Sequence, residues 1–265
     1  MAARGAAADL APLLVGPEPA GLLLEEVPPK VTVTFQDVRM TYDPARPPAL
    51  DGLTLRVLPG ETLVLTGPSG AGKSGVLRIL MGFRRPDSGR VAINGHDVTL
   101  LKPSELRRLS SYVGQRAHVF RATIRENIRY GRPDASDAEV EAAARAARCD
   151  HFIHTLAGGY DFMINEEGTN LSQGQRQLVT IARAILADRP ALILDEATSN
   201  VDTRTEELIQ RAMDALMQGR TSFVIAHRLS TIRNADVILV IRDGDIVEKG
   251  THDELLALGG FYADL

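Results

Sequence analysis

The chain has 265 residues, of which 44% are hydrophobic and 24% charged, with a formal net charge of -4. That length is ample for a buried core, and the composition sits close to the average of globular domains, away from disordered chains and integral membrane proteins. The acidic balance argues against a general nucleic-acid binder, no run reaches the roughly 18 apolar residues of a membrane span, and the lone cysteine, Cys149, leaves no internal disulfide or cysteine-based zinc site.

Residues 1–30 are rich in Ala, Leu and Pro and close with Val27-Pro28-Pro29, so they read as a linker or the remnant of an upstream segment. Asp9 interrupts what would otherwise faintly resemble a secretory signal. A folded domain is expected from residue 31, where Val31, Val33 and Phe35 alternate with Thr32, Thr34 and Gln36 in the period of a half-buried strand. Apolar runs follow at 63–65, 191–194, 223–225 and 237–241. Without alternation, such runs suit strands covered on both faces, as in a parallel sheet with helices above and below. Val76, Leu77, Leu80 and Phe83 recur at helical spacing, and Leu178, Ile181, Ala182, Ile185 and Leu186 form a clearer apolar stripe. Strand signals fade between 121 and 188, where a helical subdomain is expected, and Asp243-Gly244 predicts a tight hairpin before Asp245-Ile246-Val247. The order is that of an α/β domain.

Gly67-Pro68-Ser69-Gly70-Ala71-Gly72-Lys73-Ser74 follows the apolar run at 63–65 and precedes a predicted helix, the context in which G-x-x-x-x-G-K-[ST] reads as a phosphate-binding loop rather than a glycine-rich turn. Glycines let backbone N–H groups approach phosphate oxygens, and the helix N-terminus turns its positive dipole end toward the anion. Lys73 would neutralise the β- and γ-phosphates, and Ser74 would offer a hydroxyl to Mg²⁺, a hard ion that prefers oxygen. Downstream, the run at 191–194 ends in Asp195-Glu196, two carboxylates at the carboxyl end of a buried strand, where ligands of open α/β sheets bind. Asp195 would position Mg²⁺ and Glu196 would polarise the attacking water as general base. Leu171-Ser172-Gln173-Gly174-Gln175 has the form of a capping box at the start of the striped helix.

The order of these motifs, with Gln115 between the first and the rest and Ser199-Asn200-Val201-Asp202 and His227 after them, resembles the nucleotide-binding domains of ATP-binding-cassette (ABC) transporters. The resemblance covers residues 31–265 and implies a P-loop NTPase fold with a mostly parallel core sheet, an N-terminal antiparallel β subdomain and an inserted α-helical subdomain. It also implies ATP and Mg²⁺ as ligands and ATP hydrolysis as the activity. Tyr42 is similar to the aromatic that stacks on adenine. Gln115 resembles the glutamine that touches Mg²⁺ or water and senses the membrane domain, residues 199–202 the loop that crosses to an opposing subunit, and His227 the switch histidine at the γ-phosphate. In such proteins two domains sandwich two ATPs head to tail, so Ser172, Gly174 and Gln175 of one chain would close over ATP held by another. Tyr42 as a plain loop aromatic and His227 as a strand-end histidine remain the alternatives.

Residues 123–131 and 164–170 are similar to exporter segments, so the resemblance implies a motor attached through a transmembrane domain, fused upstream in the full-length protein, at the cytoplasmic face of the cell membrane. Homodimer and heterodimer both stay open. An importer or a non-transport ABC ATPase is the other reading, although the latter usually carries long coiled-coil insertions or a second motor domain. Two positions depart from the pattern. Gly75 stands where the family usually has a second hydroxyl for the α-phosphate, and Arg116 where it commonly has an acid.

Overall fold

The computed structural model describes residues 21–195, 202–226 and 229–265. Glu196, Ser199, Asn200, Val201 and His227 lie outside the described residues. The chain runs through β1 (Val33–Met40), β2 (Leu50–Val57), β3 (Thr62–Thr66), α1 (Lys73–Leu80), β4 (Ser88–Ile93), β5 (His96–Asp97), α2 (Pro103–Leu109) and β6 (Ser110–Val113). It continues as α3 (Ile124–Arg129), α4 (Asp137–Ala146), α5 (Asp150–Thr155) and α6 (Gln173–Ala187). Then come β7 (Ala191–Asp195), α7 (Thr203–Met217), β8 (Thr221–Ile225), α8 (Leu229–Arg233), β9 (Val237–Arg242), β10 (Asp245–Gly250) and α9 (His252–Leu258).

The apolar runs become the middle of a six-stranded sheet in the order β10-β9-β3-β8-β7-β6. All its pairings are parallel except the β9–β10 hairpin. Successive side chains of a strand point to opposite faces, and here each face has its own core. Val64, Leu192, Leu194, Val224, Ile238 and Val240 join one core with α3, α4, α6 and α7. Leu63, Leu65, Ile193, Phe223, Ile225, Leu239 and Ile241 join the other. This double coverage is why the runs lack polar alternation.

The second core is closed by a four-stranded antiparallel sheet, β2-β1-β4-β5, whose inward residues Val33, Phe35, Val38, Leu53, Leu55 and Val91 are buried with α1 beneath them. Here one face is solvated, so β1 shows the alternation read in its sequence. The fold is therefore the expected α/β architecture with an antiparallel sheet ahead of a mostly parallel one. Between β6 and β7 the described residues form helices and one isolated bridge, Thr123 to Met163. Part of the expected linker lies on the domain: the Leu22 N–H donates to Leu100 O (2.7 Å), and Leu24 and Val27 pack on the second core.

One expectation is corrected. Phe83 was placed on the apolar stripe of α1, but the helix ends at Leu80 and Phe83 is 71% exposed. Gly82 adopts φ 72°, and the N–H of Phe83 reaches back to Arg78 O (2.9 Å), the left-handed stop that turns the next residue off the helix axis.

Candidate functional site

A cavity of about 710 Å³ opens at the carboxyl ends of the parallel strands. The residue following β3, Gly67, the last residue of β7, Asp195, and the last residue of β8, Ile225, all line it. This is the crevice where open α/β sheets bind ligands. Its floor is the glycine-rich loop, which feeds into the N-terminus of α1. Gly72 caps that helix with φ 109° and no side-chain bond, so the first-turn N–H groups are not taken by a cap side chain. Only glycine fits at the two ends of the loop. A Cβ at Gly67 would overlap the carbonyl oxygen of Ile241, and one at Gly72 that of Ala49.

The Lys73 ammonium donates to the carbonyl oxygens of Gly67 and Pro68, at 2.7 Å each. It is thus held over the loop by the loop's own backbone, with a third N–H to spare. Partial burial lowers its pKa, and the Asp195 carboxylate pulls in the opposite direction. Ser74 and Gln115 are exposed and line the same cavity. A Ser hydroxyl, a carboxylate and an amide carbonyl are hard oxygen donors, a set that fits Mg²⁺ carried in on phosphate.

Tyr42 lies just beyond β1 at the far wall. Its ring is 43% exposed, with the guanidinium carbons of Arg78 and Arg84 at 5.4 and 5.5 Å from its centroid. Arg84 also donates to the Tyr42 carbonyl (3.3 Å), so the platform is braced through both ring and backbone. Tyr42, Gly67, Ser69, Gly70, Ala71, Gly72, Lys73, Ser74, Gly75, Gln115 and Asp195 therefore meet in one cavity, with Pro68 contributing through its carbonyl.

Ser172, Gly174 and Gln175 do not line it. They begin α6, where the capping box read from the sequence is complete: Ser172 Oγ accepts from the Gln175 N–H (3.2 Å), and Gln175 Oε1 accepts from the Ser172 N–H (2.9 Å). Asp202 caps α7 through the Thr205 N–H (3.0 Å), which holds its carboxyl below the usual range.

The segment after Gln115 is tied to α6 by a buried polar knot. Fully buried Asn127 accepts from the Phe120 N–H (2.8 Å), while Arg183 of α6 donates to Asn127 O (2.8 Å) and His118 O (3.0 Å). Desolvation lowers the Arg183 pKa to about 10, and its guanidinium lies 4.9 Å from the Phe120 ring centroid. Movement at the glutamine loop would therefore reach the helix that carries Ser172. Arg116 points instead to a cleft of about 320 Å³, shared with Arg183 and Arg189.

Two walls of the cavity were not read from the sequence: Pro47-Pro48-Ala49 and the Asp243-Gly244 turn. The first carried only a proline-rich loop signal and the second only a hairpin signal; neither names a ligand.

Gly75 is buried in α1, and a Cβ there would sit 2.9 Å from the Met40 terminal methyl and 3.5 Å from Leu50 Cγ. The obstacle is the far end of a flexible side chain. Gly75→Ser should thus gain an α-phosphate bond of about 1.5–3 kcal/mol, roughly tenfold or more tighter ATP binding, while displacing the methionine, which happens with or without ATP, lowers stability by about 1 kcal/mol. Equal ATP affinities by calorimetry would remove the missing hydroxyl as a weakness of this site.

The family description "ABC transporter" matches residues 50–199. The chain is 50% identical over 234 residues to the "Uncharacterized ABC transporter ATP-binding protein YfiC" of Bacillus subtilis, covering 88% of this chain and 39% of that protein. It is 50% identical over 230 residues to the "Fatty acid ABC transporter ATP-binding/permease protein" of Mycobacterium bovis, covering 87% of this chain and 36% of that protein. The structure of a bacterial Atm1-family ABC exporter with ATP bound superposes with a TM-score of 0.83 at 41% identity, over 97% of this chain and 45% of the exporter chain. The chain thus spans less than half the length of these relatives. Motif order, cavity and likeness together place it: the chain belongs to the ABC transporter family, as an ATP-binding and ATP-hydrolysing domain.

Proposed function

We propose that this chain is the motor of an ABC exporter, binding ATP with Mg²⁺ in the cavity of one copy and hydrolysing it between two copies arranged head to tail. The observation that carries the reading is a separation. The phosphate loop, Tyr42, Gln115 and Asp195 share one cavity, whereas the Ser172 end of α6 stays outside it with Ser172 exposed. That end presents a helix N-terminus and a hydroxyl with no phosphate of its own chain to face, which suits a site completed by a second nucleotide-binding domain, identical or different.

In this scheme Tyr42 stacks on adenine. Backbone N–H groups of the loop and Lys73 hold the phosphates, and Lys73 exchanges its carbonyl partners for phosphate oxygens. Ser74, Asp195 and Gln115 are the residues that would hold Mg²⁺, which when bound screens the phosphate charge against an attacking oxygen. Glu196, next in the chain after Asp195, takes a proton from the water, and His227 donates to the γ-phosphate. Ser172 of the opposing copy keeps accepting from the Gln175 N–H while its own hydroxyl proton turns to that phosphate.

No helix among the described residues is long and apolar enough to cross a membrane. The relatives named as ATP-binding/permease proteins support a transmembrane domain as partner, with the motor at its cytoplasmic face. The transported substrate would be chosen there. The chain divides in this reading into a joining segment at 1–30 and a motor at 31–265, with the helical part near 121–188 carrying the Ser172 end of α6 toward the partner. The test is association: ATP should convert the chain from monomer to dimer by light scattering, and Ser172→Arg should abolish the dimer while leaving ATP binding to the monomer unchanged. An ATP-dependent dimer that survives Ser172→Arg would rule out the head-to-tail arrangement.

A further inference from the structure

The turn that closes the β9–β10 hairpin touches both halves of the nucleotide cavity. The Gly244 N–H donates to the carbonyl of Ala71 in the phosphate loop (3.0 Å), and the Gly244 carbonyl accepts from the Asp51 N–H (2.9 Å). Ala71 belongs to the loop borne by the parallel sheet. Asp51 lies at the start of β2 in the antiparallel sheet, immediately after the loop that carries Tyr42 and is closed by the Ala49 N–H on Met40 O (2.7 Å). One residue therefore bonds the phosphate side to the adenine side. Ile241, three residues earlier, is the strand residue whose carbonyl lies against Gly67, so the hairpin meets the phosphate loop at a second point.

Glycine is required at this junction on two counts. Its φ is 85°, and a Cβ would fall 3.1 Å from Ala49 O and 3.2 Å from Pro48 O, both in the cavity wall. Asp243 at φ 51° completes a turn with both central residues left-handed, the form that matches strand twist. A hairpin turn needs that much and no more. Bonds from it to the phosphate loop and to the start of β2 in the other sheet are beyond what hairpin closure asks.

We propose that the Asp243-Gly244 turn is a brace that fixes the separation between the adenine platform and the phosphate loop, with Gly244 as a positioning residue for the whole nucleotide. The inference rests on ATP lying in this cavity with its adenine toward Tyr42. A ligand that spans both sides feels the brace; one that uses the phosphate loop alone does not, because the loop N–H groups and Lys73 stay in place.

The experiment compares MgATP with magnesium tripolyphosphate by titration calorimetry on the wild-type chain and on Gly244→Ala. ATP affinity is expected to fall about tenfold or more in the variant while tripolyphosphate affinity changes less than about twofold, since small misplacements of one wall penalise only ligands that contact both. Gly244→Asn, whose side chain tolerates positive φ, should give the same split and decides the matter if Gly244→Ala does not fold. Equal losses for both ligands, or a lowered Tm with both affinities unchanged, would reduce the turn to a structural part and overturn the proposal alone. A wild-type chain that binds tripolyphosphate as tightly as ATP would overturn it together with the adenine placement.

Discussion

Lys73→Ala is expected to lower ATP affinity by roughly a hundredfold or more. A hydrogen bond to a charged group is worth about 1.5–3 kcal/mol, and the proposed role offers the ammonium to two phosphates, so at least about 3 kcal/mol is expected to be lost. A separate loss falls on stability. The ammonium joins the carbonyls of Gly67 and Pro68 across the loop, and alanine leaves both without that donor. The two effects separate by measurement: calorimetry reads the affinity, and the unfolding temperature without nucleotide reads the loop. Nucleotide affinity within about threefold of wild type would contradict the role given to Lys73.

Glu196→Gln is the second large effect, and it falls on rate instead of binding. The amide keeps the size of the side chain but cannot accept the water proton, a contribution of about 10²–10⁴ in general-base catalysis. Turnover should fall by that factor with ATP affinity retained, because the proposed scheme takes the phosphate contacts from the loop and from Lys73. The ATP-bound dimer should then accumulate, as closure persists without hydrolysis. Full turnover in this variant would remove Glu196 as the base and leave Asp195 to be tested next.

Much of this arrangement was legible in the sequence, for identifiable reasons. The runs at 191–194 and 237–241 become β7 and β9, because burial on both faces leaves no room for polar alternation. The glycine-rich loop could be placed between a strand and a helix because its glycines, Lys73 and Ser74 stand in a fixed spacing after an apolar run. The capping box at Ser172 and the Asp-Gly hairpin could be read because both are local, set by residues a few positions apart.

What stayed hidden is either weakly patterned or made of backbone. In β6 only Val113 is buried, so the strand offers almost no periodic signal although it closes one edge of the sheet. In β2 the alternation of Leu53, Leu55 and Val57 loses step before Leu50, where the register with β1 shifts. The approach of Met40 to Gly75 joins β1 of the antiparallel sheet to α1 and depends on a Cβ that is not there. The Gly244 brace uses an N–H and a carbonyl that every non-proline residue possesses, so no side-chain pattern could announce it. Phe83 misled for the opposite reason: its spacing fits the helix, but Gly82 ends the helix first.

The central claim is that a working site takes its phosphate loop from one copy and its Ser172 end from another. Mixing Lys73→Ala and Ser172→Arg chains, each inactive alone, tests it directly. In a head-to-tail pair the mixed dimer has one site with both defects and one with neither, so an equimolar mixture should regain ATP turnover that neither chain shows alone, with half of the wild-type rate as the ceiling when every chain pairs in a mixed dimer. A mixture as inactive as its two components would contradict the account.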